Sequence, residues 1–535
     1  MSANKNKTPD YKTLSFGSKE NGVNGHASFK PLKSPKKEEF EQSLKNPNPK
    51  SETSETAKER QFVVSESATA EETVPSIENF NQISDDHAEQ PKPGKKQRKI
   101  EKDERLLSSD RWLARNGHTL TYAGVFLFTL ILYFRPYEWI PGLSSFSSMA
   151  FVVAVAMLLV YLPTQFSVEG SLTALPIEIK CVLFLGLWAL LTIPIAREPA
   201  LAWAKFSEEY IKVIIIFVVM INTLRTKSRL KGIMWLGVAA SLLLSYEAVK
   251  LYRAGVFRTE DYRVSVEIGG MFGNPNDLAL HLVIFIPLAV ALGIASKNII
   301  SKLAYFISAG FMVMGIIVTQ SRSGFLGLLA VGVVLVWKFG KKQRFKTGLI
   351  SSIAGLMVMV FAPGNYGLRV LSIFVPALDP VGSSDQRREL LIQSLWATLY
   401  NPQGLGIGNF TVISIRNLET HNAYTQISSE LGLLAIIAYM ILLISPLRKL
   451  GAIERRMFAR EDFSWIYYLA IGVQASIIGY MVSSFFGPVA YQWYVYYPIA
   501  FAICLRRIYQ TGQAEKGSPS AAESGSSDYS QLQTV

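Results

Sequence analysis

Apolar and polar residues in this chain are sorted into long blocks. Twelve blocks are apolar, at approximately 119–134, 144–163, 178–195, 207–224, 231–249, 277–295, 302–319, 323–338, 346–362, 424–446, 463–485 and 488–505. Each approaches the roughly 20 residues that a helix needs to cross the hydrocarbon core of a bilayer. The pattern predicts an all-α polytopic membrane protein with about 12 transmembrane helices. The ends are different material. Residues 1–110 are rich in Lys, Glu, Ser, Pro and Asn, poor in aromatics and without helical or strand period. Such a segment cannot bury enough apolar surface to offset its ordering entropy, so a disordered tail is expected there. Residues 510–535 read the same way, leaving 111–509 as the membrane domain. No basic segment followed closely by a short apolar one opens the chain, so no cleavable signal peptide is expected.

Charge adds orientation. The net charge is +13, and acids and bases nearly cancel in the N-terminal tail, so the excess falls mostly on the membrane domain. The connections 223–231, 338–346 and 448–460, with Arg506 and Arg507 after the last block, are strongly basic, and 295–302 carries Lys297 and Lys302. With twelve spans, all lie on the side of the N-terminus. The positive-inside rule makes that side cytoplasmic and puts both termini there.

Two long loops, near 250–276 and 363–423, then face outward. Past Lys250 their bases are all arginines: Arg253, Arg258 and Arg263 in the first, Arg369, Arg387, Arg388 and Arg416 in the second. A guanidinium binds phosphate oxygens through a planar fork and stays charged when partly buried. Pairing with Glu260, Asp261, Glu267, Asp379, Asp385 or Glu389 is the plain alternative for any one of them. A polyanionic ligand suits the set. Arg322 stands in a tight turn, TQSRSG, between two apolar blocks, where a charge is costly unless it snorkels or meets a partner. Ser321 and Ser323 flank it, Gly324 admits close backbone approach, and the start of the next helix favours an anion. IGGMFGNPND (268–277) closes the first outer loop. Its glycines and the Asn274-Pro-Asn276-Asp277 run read as a turn into a helix cap, which with Arg263 could shape a polar pocket.

Of five histidines, only His421 ends a large polar loop where it meets a membrane-length block. An imidazole there could be a hydrogen-bonded interfacial group or a proton acceptor working near neutral pH. Cys181 and Cys504 both fall within apolar blocks and imply neither a disulfide nor a metal site. No Asp-x-Asp pair lies on the outer side, and no His/Cys/carboxylate cluster has metal-ligand spacing. The expected chemistry is therefore metal-independent and needs no cofactor.

GNPNDLALHL, then QSRSGFLGLL, then QRREL and NPQGLGIGNF in the long loop, then HNAYTQISSELGLLAII, resemble in order and spacing the O-antigen ligase/polymerase superfamily of bacterial membrane glycosyltransferases. RPYEWIPGL (135–143) resembles members found in exopolysaccharide clusters. The resemblance covers about 120–505 and implies a GT-C-like helical enzyme of the bacterial inner membrane. Such an enzyme moves a glycan from an undecaprenyl-diphosphate carrier to an acceptor hydroxyl on the outer face, as a ligase with a lipid or protein acceptor or as a polymerase with a glycan acceptor. Its implied partners are the lipid-linked glycan, the acceptor, membrane lipids and polysaccharide assembly proteins, and no nucleic acid. Carried over by motif, Arg322 and Arg263 hold the diphosphate, with Arg387 and Arg388 as weaker candidates. His421 is the catalytic base, and Asn274, Asn276, Asp277, Ser321, Ser323 and Asn422 shape the pocket. Two other readings stand beside it. A small-anion, bicarbonate-type transporter would favour inverted repeats and broken helices with charges at mid-membrane, and the sequence displays no such repeat. A scaffold of a polysaccharide export complex would use the long tail as its interaction arm.

Overall fold

The computed structural model describes residues 111–134, 149–257, 263–266, 272–341, 345–346, 348–349, 355, 366–371 and 383–517. They are predominantly helical, and no strand occurs among them. In chain order the helices are α1 (Arg111–Phe134), α2 (Met149–Glu169), α3 (Ile177–Thr192), α4 (Pro199–Lys205), α5 (Ile211–Thr223), α6 (Lys227–Arg253), α7 (Pro275–Ala295) and α8 (Ile299–Thr319). They continue as α9 (Arg322–Phe339), α10 (Tyr366–Leu371), α11 (Ser383–Tyr400), α12 (Phe410–Ile413), α13 (Ala423–Ala459), α14 (Trp465–Ser483) and α15 (Trp493–Gly517).

Nine helical segments among the described residues are long and apolar enough to cross a membrane. They correspond to nine of the twelve apolar blocks. The 207–224 block is a π-helical turn, Phe206–Tyr210, running into α5. The 346–362 block lies almost entirely outside the described residues, as do 1–110 and most of the C-terminal tail. The last block begins only at Trp493, and its helix runs on to Gly517, past the expected boundary at 509. The 363–423 loop, expected to face outward, contains the helices α10, α11 and α12.

Helix starts follow local chemistry. Thr226, Asn274, Asn298, Ser321 and Asn422 each occupy an N-cap with the side-chain oxygen accepting a backbone N–H, which satisfies donors that a helix's first turn leaves unpaired. The centre of the bundle is α7, the most enclosed of the nine segments. It packs against α8 and α14 at close range because glycines stand at the contacts: a Cβ at Gly315 of α8 would lie 2.8 Å from Leu282 Cδ1, and one at Gly472 of α14 2.6 Å from Ala291 Cβ. Small residues at such crossings are how helices associate where burial from water gives no drive. α2 and α9 are among the least enclosed.

The two ends of the bundle are chemically different. At one end, where α13 finishes, two buried carboxylates gather cations. Glu178 Oε1 accepts from Lys449 Nζ (2.8 Å), Arg506 Nη1 (3.1 Å) and Ser445 Oγ (2.9 Å). Glu454 is bound by Lys338, by Lys341 Nζ at 2.9 Å and by Gln474 Nε2 at 3.1 Å. Several lysines of the basic connections thus have structural partners. His281, the histidine inside an apolar block, is a core residue ringed by Tyr133, Phe272, Phe285 and Tyr494, with Ser241 Oγ 3.0 Å from Nε2. The other end holds the predicted site.

Candidate active site at three helix starts

Three helices, α7, α9 and α13, begin at this end, and each is entered through a residue in the left-handed region: Phe272 (φ 60°), Gln320 (φ 50°) and His421 (φ 52°). Left-handed backbone costs a non-glycine residue about 1–2 kcal/mol, and such strain tends to collect where function over-determines the geometry. The caps that follow are Asn274, Ser321 and Asn422. Asn274 Oδ1 takes Asn276 N at 2.9 Å, Ser321 Oγ takes Gly324 N at 3.2 Å, and Asn422 Oδ1 takes Tyr424 N and Thr425 N at 2.9 and 3.1 Å. All three positive dipole ends therefore open toward the same side.

Side chains tie the three starts together. Asn276 Oδ1 accepts from Arg263 Nη2 at 2.7 Å and from Ser321 Oγ at 2.8 Å, joining α7 to α9. Arg263 Nε also donates to Thr319 O at 3.2 Å. Both acceptors are neutral, and the two bonds fix the orientation of the guanidinium. Ser321 Oγ lies 3.0 Å from Ser323 Oγ. The last turn of α14 links α9 to α13: Ser483 Oγ donates to Ser323 O (3.2 Å), and Tyr424 Oη donates to Met481 O (2.7 Å). Arg322 is half-buried at the first position of α9. His421 is half-buried just before the α13 cap, and burial, with a smaller contribution from Arg387, holds its imidazole below the usual histidine range. A cavity of about 610 Å³ between α9, α13 and α14 is lined by Leu326, Tyr424, Met481, Val482, Phe485 and Phe486. Leu326 is one turn from Arg322, and Tyr424 is three residues from His421.

The structure thus brings Arg263, Asn276, Ser321 and Ser323 into one network with Arg322 at its edge, and sets His421 on the neighbouring helix start. Asn274 and Asn422 act as caps. Asp277 is half-buried in the first turn of α7. Arg387 and Arg388 separate: Arg387 is half-buried and acts on His421, whereas Arg388 is exposed. Arg258, Glu260, Asp261, Glu267, Asp379 and the side chain of Arg369 lie outside the described residues. Among the described residues no group of three or more His, Cys, Asp or Glu is arranged to hold a metal ion.

Sequence reasoning missed a feature beside this site. α13 is broken at Gly432 (φ 85°, ψ −174°), and the loop 401–409 docks into the break. Leu405 N donates to Ser429 O (3.0 Å), Gly406 N to Glu430 O (2.8 Å) and Leu433 N to Pro402 O (2.9 Å), while Trp188 Nε1 caps Leu431 O at 2.7 Å. The buried Glu430 carboxylate accepts Gly408 N at 2.8 Å. The signal was present as the alternating Gly404, Gly406 and Gly408, all with positive φ. Nearby, Lys205 Nζ pairs with Glu209 at 2.9 Å and reaches Glu419 at 3.7 Å.

Among the described residues these features make up a helical bundle with nine membrane-length segments and a polar cluster containing Arg263, Ser321 and Ser323 at one end. A family model described as O-antigen ligase matches residues 307–440, about a quarter of the chain, and that stretch is similar to the O-antigen ligase family. The matched stretch contains Arg322, Arg387, Arg388, His421 and the Gly432 break; Arg263 and Asn276 lie before it. The family implies a glycosyltransferase-like enzyme acting with a glycan-linked lipid and an acceptor. No curated protein matches the chain.

Proposed function

We propose that the protein transfers a glycan from an undecaprenyl-diphosphate carrier to an acceptor hydroxyl at the outer face of the bacterial inner membrane, as an O-antigen or exopolysaccharide ligase or polymerase. The observation that carries this reading is the joining of the α7 and α9 starts through Arg263, Asn276 and Ser321, with the α13 start tied to them through the last turn of α14 and an apolar cavity one turn from Arg322. A diphosphate needs cations and oriented N–H groups, and its isoprenoid chain needs an apolar, membrane-level surface. The two requirements are met side by side.

In this reading Arg322 and Arg263 bind the diphosphate and stabilise the negative charge that grows on it as the anomeric C–O bond breaks. Because Asn276 and Thr319 already fix Arg263, little reorganisation is needed at the moment of reaction. Arg387 favours the neutral imidazole of His421, which accepts the proton of the attacking hydroxyl. Arg388, exposed on α11, has the weakest part. Ser321, Ser323, Asn274, Asn276, Asp277 and Asn422 shape the pocket, and no metal is required.

The test is donor binding measured beside glycan transfer in membranes containing equal amounts of each variant. Arg322→Ala should weaken both, and Arg322→Lys should rescue little, since an ammonium cannot reproduce the fork. His421→Ala should leave donor binding nearly intact and lower transfer on the order of 100- to 10,000-fold. A His421→Ala enzyme working at the wild-type rate overturns the base assignment.

A further inference from the structure

The helix α11 in the long loop is folded the wrong way round for a helix in water. Its protein-facing side is small and partly polar: Leu390, Ser394, Ala397 and Thr398 are buried. Leu390 and Ala397 pack with Leu405 and Phe410, Thr398 Oγ1 lies 2.9 Å from Ser428 Oγ, and the intermediate Gln393 donates to Ile413 O at 2.7 Å. Its outward side carries the large apolar groups Ile392, Leu395, Trp396, Leu399 and Tyr400, the last two 67 and 58 % exposed. These positions recur at three- and four-residue intervals and form one stripe. A soluble helix would turn that stripe inward and leave Ser394 and Thr398 outside.

The position of the stripe identifies what covers it. α11 ends at Tyr400, and Pro402 two residues later is bonded through its carbonyl to Leu433 N. Leu433 begins the outward row of α13, with Leu434, Ile437 and Ile441 also exposed along a membrane-crossing segment. The α11 stripe therefore ends beside the exposed apolar row of a membrane-length helix. Trp396 and Tyr400 stack at 5.7 Å between ring centroids near that junction, the residue types that favour the level of the lipid headgroups. At the opposite end of the same helix the exposed residues are Asp385, Arg388 and Glu389. The returning segment exposes Val412 and Ile415 beside the stripe.

We propose that α11 is an interfacial anchor, with its Ile392–Tyr400 stripe seated among the acyl chains of the leaflet on its own side and its charged start in water. The occupant is lipid. α11 carries Arg387 and the loop after it leads back to His421, so the anchor would hold both at the membrane surface. The proposal requires only that the bundle spans a membrane and stands apart from the chemistry of the site.

Full-length protein reconstituted at one copy per lipid nanodisc tests it. Nitroxide labels on Leu395→Cys, Leu399→Cys and Glu389→Cys would be compared for collision with oxygen, which concentrates in lipid, and with a nickel chelate, which stays in water. The oxygen-to-nickel ratio should be several-fold higher at 395 and 399 than at 389. Nickel-dominated collision at 395 and 399 would place the stripe in water. Exclusion of both reagents in single-copy discs would mean that another segment of the chain covers it. Either result overturns the proposal. Should the labels disturb folding, quenching of Trp396 by brominated lipid, taken as the difference between wild type and Trp396→Phe, gives the same decision: no difference refutes the anchor.

Discussion

Replacing Gly432 with alanine tests the join between the loop and α13. At φ 85° and ψ −174° the residue sits in a region open essentially to glycine alone, and forcing a side chain into it costs about 1–3 kcal/mol. Space makes it worse. The added Cβ would fall 2.2 Å from Pro402 O and 2.6 Å from Gln403 C, both backbone atoms that cannot rotate away. Relief requires the loop to lift, which breaks the Leu433 N–Pro402 O bond and strains those from Leu405 and Gly406, each contributing about 0.5–1.5 kcal/mol. The total is on the order of 3 kcal/mol or more, enough to raise the loop-open population roughly 100-fold. Limited proteolysis within 402–408 should accelerate accordingly where opening is fast relative to cleavage. The apparent melting temperature in detergent should fall. Gly332→Ala is the control, since nothing lies within 4 Å of its added Cβ in the middle of α9; it should be neutral or slightly stabilising. A Gly432→Ala protein with wild-type proteolysis and melting refutes the reasoning.

Other predictions concern charge, metal and orientation. Arg387→Gln removes a positive neighbour of His421, so the imidazole pKa should rise toward its ordinary value and the acid limb of the rate profile should move to higher pH; an unmoved limb would mean that His421 is not the titrating base. The plateau rate reports separately whether Arg387 also touches the diphosphate. Transfer should persist in excess EDTA, and loss restored by magnesium or manganese would show the arginine assignment to be incomplete. Cysteines at 385 and 416 should react with impermeant reagents from outside the cell and those at 342 and 455 should not; the opposite pattern would put the site on the wrong face.

The bundle was legible because crossing a membrane demands long apolar blocks, and nine of them appear as membrane-length helical segments among the described residues. The 207–224 block is continuously apolar only from Val213 to Ile221, and its first turn, which carries Glu208 and Glu209, is π-helical, a backbone choice that residue patterning does not encode. The polar side of the site was legible for a similarly local reason: Ser321, Asn274 and Asn422 are cap residues at block boundaries, and a cap is fixed by its own few neighbours. The partner of each cap was not legible. Nothing in GNPND or QSRSG says that Asn276 will bridge Arg263 and Ser321, because 45 residues separate Asn276 from Ser321 and the contact follows from helix packing. Arg387 and Arg388 are indistinguishable in sequence and differ only by which face of α11 each occupies. The Gly432 break was hidden because LGLLAII continues the helical pattern on both sides of it.

That break also bears on the transporter reading. Broken helices in transporters commonly expose carbonyls and helix ends that coordinate an ion near mid-membrane, and α13 is broken beside a buried carboxylate, Glu430. The backbone groups at this break are already spent: Ser429 O, Glu430 O and Leu431 O each accept a hydrogen bond from elsewhere in the protein, and Leu433 N donates to Pro402 O. Glu430 itself receives Gly408 N. An ion entering here would have to displace the 402–408 loop, with the loss of several bonds at once. A break filled in this way is a joint. It fixes the loop, and through it α11 with Arg387, against the helix whose first turn follows His421. A rigid joint is of little use for alternating access, which needs the break to rearrange, but it suits the proposed transfer, in which an imidazole and guanidiniums must stay in register while the anomeric bond to the diphosphate breaks and one to the acceptor oxygen forms.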